Sequence, residues 1–169
     1  SNRITIEIAP APAAWIRRTV AQSRAVIEHT DPQSRGGWEA RTRAARQLQY
    51  IQHPLSWEAA LDLEGAGAGL NELRYGLYES PQKETACKLM RGRISRPSQQ
   101  VTYYFLDTMA AVCAKAADPV KSSGHQQFLD QGMSELAASF PSKTGPAKAA
   151  ALNALLMHAM QVRGSRPPR

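Results

Sequence analysis

Apolar and polar residues alternate strictly along Arg3–Ile8 (RITIEI): Ile4, Ile6 and Ile8 fall on one face, Arg3, Thr5 and Glu7 on the other. A period of two predicts a half-buried strand. No second strand pattern follows. A lone strand leaves its backbone groups unpaired, so this one needs a partner from elsewhere or stays extended coil.

From Pro12 onward the period changes to three and four, that of helices packed on one face. Trp15, Ile16, Val20, Val26 and Ile27 stripe a first helix reaching about His29, and Thr30–Gly37 is a loop by composition. Trp38, Ala45, Leu48 and Ile51 stripe a second, which stops before Pro54. Ser56 is placed to cap a short helix over Trp57–Leu63, and another centres on Leu70, Leu73 and Leu77. Ser80 as cap and Pro81 at the first position start a helix running to about Arg91. Ser98 is expected to cap the most apolar helix, with Val101, Phe105, Met109 and Val112 inward and Asp118-Pro119 as its end. Phe128, Leu129, Met133, Leu136 and Phe140 stripe the next, closed by Pro141. Thr144 and Pro146 open the last, with Leu152, Leu155, Leu156, Ala159 and Met160 expected inward and Gly164 at its end.

The pattern predicts an all-α fold, an irregular bundle of about six to eight helices, with or without one short N-terminal β-strand. Residues 1–10 read as a tag remnant (Ser1-Asn2) and a strand-like lead-in, 11–163 as a single helical domain, and 164–169 as a disordered basic tail. Helices around 99–118, 125–140 and 146–163 are expected to form the core. The opening without methionine suggests a domain cut from a longer protein.

Length and composition fit one soluble domain: 169 residues, 43% apolar and 21% charged, large enough to fold without disulfide or metal. Two cysteines, Cys87 and Cys113, make no disulfide framework. Each falls in a predicted helix, so they are expected not to pair, which favours a reducing compartment. His29, His53, His125 and His158 lack metal-ligand spacing, and no apolar run approaches a membrane span; neither a metal nor another cofactor is expected.

The glycine run in EGAGAGLNELRYG (Glu64–Gly76) raises a phosphate-loop reading. A dinucleotide fingerprint requires G-x-G-x-x-G between strand and helix. Gly65, Gly67 and Gly69 follow a helical segment, the third comes one position early, and Glu64 and Glu72 would repel phosphate. The run is read as a flexible joint between helices.

Net charge is +7, unevenly spread: residues 1–53 carry +4, 54–79 carry −4, 80–97 carry +4 and 98–169 carry +3. The cations cluster as Arg17, Arg18 and Arg24, then Arg41, Arg43 and Arg46, then Lys88, Arg91, Arg93 and Arg96. Arginine suits phosphate contacts, and a strand followed by a helix is the order of some DNA readers, so nucleic-acid binding is one reading. Against it, Glu7 faces outward on that strand and an acidic block separates the basic ones. The paired carboxylates Glu58 and Asp62 read as a solvated face or as salt-bridge partners for the arginine blocks.

Cys87 is the one weak catalytic candidate. Lys83 and Arg91 share its helical face and Lys88 is adjacent, and cations favour a thiolate, as a cysteine-dependent transferase requires. No base lies near it in sequence, and a small buried hydrophobe is the commoner role. The expected function is therefore a protein–protein interaction or regulatory module, its basic clusters docking an acidic protein surface. Alanine- and arginine-rich composition suggests a GC-rich bacterial source, for which an effector or secretion-associated domain fits.

Overall fold

The computed structural model describes residues 11–119 and 123–164; the strand expected at Arg3–Ile8 and the tail beyond Gly164 lie outside them. The fold is an all-α bundle. Its elements are α1 (Ala13–His29), α2 (Gly37–Ile51), α3 (Pro54–Gly65), α4 (Asn71–Tyr78), α5 (Lys83–Ile94), α6 (Tyr103–Ala117), α7 (His125–Ser139) and α8 (Gly145–Gly164), with a 3-10 turn at Phe140–Ser142 between the last two.

Two apolar clusters hold these helices. The larger centres on α6, where Phe105, Leu106, Met109 and Val112 meet Trp57 and Leu61 of α3, Met90 and Ile94 of α5, and Leu129 and Leu136 of α7. The smaller joins α1 to α4 through Ile27, Ala44, Ala45, Leu48, Ala60, Leu63 and Leu73. Each fully buried Leu, Ile or Phe stabilises by about 1.5–3 kcal/mol relative to exposure. The predicted central helix is thus the centre, but the second cluster was not foreseen. It rests on α3, which buries residues on both sides of the narrow Glu58–Asp62 strip, so little polar face marks its period.

Helix starts differ from the expected caps. His53, not Ser56, caps α3: its ring Nδ1 accepts from Leu55 N at 3.2 Å, while Ser56 returns a bond to the His53 backbone. Thr102, not Ser98, caps α6 by accepting from Phe105 N at 3.1 Å. Residues 98–101 are instead pinned across α3, Gln99 Nε2 donating to Leu61 O at 3.1 Å and Gln100 N to Gly65 O at 3.1 Å. Ser80 is not the cap of α5; its hydroxyl accepts from Gln82 N at 3.0 Å in the turn before it.

That pinning changes the account of the glycine run. Gly67 and Gly69 have φ of +86° and +69°, as a tight joint requires. A Cβ on Gly65 would come within 2.3 Å of the Gln99 side chain. The joint is a packed seat for residues 99–100, not a flexible hinge.

α8 departs most from expectation. Ala147, Ala151 and Ala154 face the core with Leu155, as expected, packed partly buried against it, but Leu152, Leu156 and Met160 are 48, 54 and 72% exposed. Alanines allow close approach to α6 and α7, and the apolar residues run all round the helix, so periodicity alone did not fix the inward face.

Candidate interaction surface

The cation clusters divide into paired and unpaired members. Arg24 lies 2.7 Å from Glu28 and 3.5 Å from Asp62. Arg41 donates to Ile27 O at 3.1 Å and Ala68 O at 3.4 Å, closing the α1–α2 connection against the glycine joint. Arg46 pairs with Glu72 at 3.7 Å, Arg91 with Glu135, and the buried Arg93 with Asp62. Arg17, Arg18, Arg43, Lys88 and Arg96 make no ion pair or side-chain hydrogen bond among the described residues and are exposed. Asp62 is therefore a salt-bridge partner of arginines from both basic blocks, one of the two roles its sequence position allowed. Glu58 is exposed at the mouth of a cleft of about 600 Å³ between α3 and α5, also lined by Asp62, Lys88, Arg93 and Arg96.

Glu64 is buried, with Oε1 2.7 Å from Arg74 Nη1 and Oε2 without a partner. Burial raises its pKa above the ordinary 4.5, opposed in part by Arg74. Asp62, Glu64 and Glu72 of the acidic stretch are thus paired with arginines within the fold, while Glu58 stays exposed.

Cys87 and Cys113 form a disulfide, with Cα atoms 5.0 Å apart, which corrects the expectation that they do not pair. The helices α5 and α6 lie side by side, a juxtaposition invisible in sequence. A disulfide removes the thiolate that a Cys87 nucleophile needs, and with it the ground on which a reducing compartment was favoured. Both cysteines line a groove of about 510 Å³, floored by Ala116, Ala117 and Phe128 and edged by Glu84, Lys88 and Arg91. Cys87 is partly exposed; Cys113 is 1% exposed.

Beside this groove Tyr78 is held between two lysines. Lys83 Nζ donates to the Tyr78 carbonyl, and Lys115 Nζ to its hydroxyl at 2.8 Å, lying 4.0 Å from the ring centre. Burial first, then the Lys115 charge, lowers the Lys83 pKa, against a smaller opposing effect of Glu79. Sequence reasoning missed this pair because Lys115 arrives from another helix.

The remaining feature is the outer face of α8. Leu152, Leu156 and Met160 recur every four residues, so the row is an apolar stripe on one side of the helix. α8 carries no carboxylate, its Lys148 is exposed, and Thr144 N bonds Pro97 O at 3.2 Å, placing the segment of Arg96 beside its first turn. No helix among the described residues is long and apolar enough to cross a membrane, and no His, Cys, Asp and Glu side chains there group as a metal site. No protein-family model, curated protein or solved structure matches this chain.

Proposed function

We propose that the protein is a helical interaction module that docks an amphipathic helix of a protein partner, apolar on one side and acidic along its edges. The row of large apolar side chains that α8 turns outward supports this. A surface helix ordinarily turns its large apolar side chains to the core and its small or polar ones outward. α8 buries Ala147, Ala151 and Ala154 and offers Leu152, Leu156 and Met160 to solvent. Such rows at helical spacing are the anchors of helix-in-groove recognition.

Charge selects the partner. α8 has no Asp or Glu, and the chain carries +7 overall. Two copies joined through α8 would bring together no opposite charges on the paired helices, whereas carboxylates flanking a partner's apolar stripe would meet Lys148 and Arg96.

The test is a fluorescence-anisotropy titration with two amphipathic helical peptides sharing one apolar stripe, flanked by Glu in one and Lys in the other. The expected result is at least tenfold tighter binding of the Glu-flanked peptide, lost in the variant Leu156→Asp with Met160→Asp while the melting temperature is kept. Equal binding by that variant would refute the stripe as the docking face. An α8-dependent dimer in light scattering would replace the partner with a second copy. Nanomolar, sequence-dependent oligonucleotide binding at about 0.15 M salt would move the function to nucleic acid, since non-specific affinities lie around 10⁻⁴–10⁻⁶ M.

A further inference from the structure

The groove between α5, α6 and α7 has a disulfide in its wall, with Cys113 in the large apolar cluster and Cys87 at its edge, and its open edge is cationic. Cys87 is partly exposed there, while Cys113 is 1% exposed. Exposed disulfides are the labile and regulatory ones, and thiols react through their thiolates, which nearby cations attract. Lys88 follows Cys87 directly, is exposed and makes no ion pair among the described residues; Arg91 shares the face of Cys87 and is held by Glu135. Among the described residues Glu84 is the one carboxylate on the groove wall.

We propose that Cys87 is a thiolation site: the Cys87–Cys113 disulfide exchanges, in the folded protein, with a small thiol that carries carboxylates. This goes beyond the docking function and does not depend on it. The incoming thiolate forms a bond to Cys87 Sγ as the Cys87–Cys113 bond breaks. The electron pair leaves on Cys113 Sγ, which takes up the proton given by the incoming thiol. No net oxidation occurs in that step, and the product is a mixed disulfide on Cys87 with a free thiol at Cys113.

Two features fix the outcome. Burial of Cys113 among apolar side chains bars direct attack on it. Lys88 meets a carboxylate of the bound thiol, and the apolar floor of Ala116, Ala117 and Phe128 takes its uncharged part. The modification detaches α5 from α6 at this point and fills the groove, leaving the large apolar cluster around Phe105 to hold the bundle.

The experiment incubates the oxidised, native protein with reduced glutathione, an acidic thiol, and in parallel with 2-mercaptoethanol, a neutral one. Intact mass and peptide mapping follow the adduct, and circular dichroism follows the fold. The adduct is expected on Cys87 with helicity retained, forming faster than the protein globally unfolds. Lys88→Gln should slow glutathione by roughly twofold, the effect of one solvent-screened charge, leave 2-mercaptoethanol unchanged, and be rescued by Lys88→Arg. An adduct on Cys113, or exchange only at the rate of global unfolding, would overturn the site. An equal effect of Lys88→Gln on both thiols would overturn the acidic class of its ligand.

Discussion

The buried guanidinium of Arg93, 5% exposed, donates to the Asp62 carboxylate from 31 positions along the chain. A residue from the basic block that precedes α6 thereby closes onto the acidic helix α3. Asp62 also receives Arg24 at 3.5 Å, so one carboxylate ties α1, α3 and α5 together.

Arg93→Ala should therefore destabilise the protein by about 2 kcal/mol, less than a fully buried pair because Asp62 stays partly exposed and keeps Arg24. Arg91→Ala and Arg96→Ala, both exposed, should each stay within about 0.5 kcal/mol. Urea unfolding of the three single variants checks the ranking, and equal effects would remove the special place of Arg93.

Lys143 is the second buried cation, and the sequence did not mark it. Its Nζ donates to Ile94 O at 2.6 Å, Arg96 O at 2.7 Å and Gln99 O at 3.4 Å, satisfying carbonyls around the end of α5 that have no helical partner. Burial lowers its pKa below the usual lysine value. Lys143→Met should cost about 1–3 kcal/mol, since Ile94 O and Arg96 O keep only their longer bonds, from Ser139 Oγ at 3.4 Å and Gln99 N at 3.2 Å, while the apolar stem is retained. Thermal or urea melts measure it, with a loss below about 0.5 kcal/mol contradicting the clip.

The disulfide spans 26 positions, and closing a loop of that length is worth about 3.5 kcal/mol in the chain-entropy account. Replacing both cysteines with alanine should lower stability by about 2–4 kcal/mol and leave a helical, cooperatively melting protein. Loss of the circular dichroism signal at room temperature would show that the apolar clusters are insufficient without the staple.

Glu64 supplies a pH test. Its folded pKa is raised above 4.5 by burial, so between 4.5 and that higher value the native state binds more protons than the unfolded chain. The stability it contributes is present below pH 4.5 and is lost as pH rises through the folded pKa. Wild type minus Glu64→Gln, followed by urea unfolding upward from pH 4.5, should decline by at most ~1.4 kcal/mol per pH unit. A difference that rises over that interval would mean the carboxylate is favoured in place.

Fold class was legible because most helices carry a one-sided stripe: Phe105, Met109 and Val112 point inward as their spacing implies. The charge map was legible too, in that the acidic block 54–79 meets arginines from both flanks. What was hidden depends on helices remote in sequence meeting in space. The Cys87–Cys113 pair, the reach of Lys143 to α5 and the seat of Gln99 on Gly65 leave no local pattern. α8 was misread because Leu152 and Ala151, one position apart, are both apolar, and only packing distance decides which turns inward.

The helix α3 gives Trp57 and Leu61 to one cluster and Ala60 and Leu63 to the other. It is the shared wall of the two apolar clusters. The outer pair α1 and α2 is secured chiefly by the smaller cluster, so it can come away while α5–α8 remain folded. Amide protons of α1 and α2 would then exchange through a sub-global opening of lower free energy than those of α6. Any load transmitted between the outer helical pair and the opposite half of the molecule must pass through α3 and its neighbour α4.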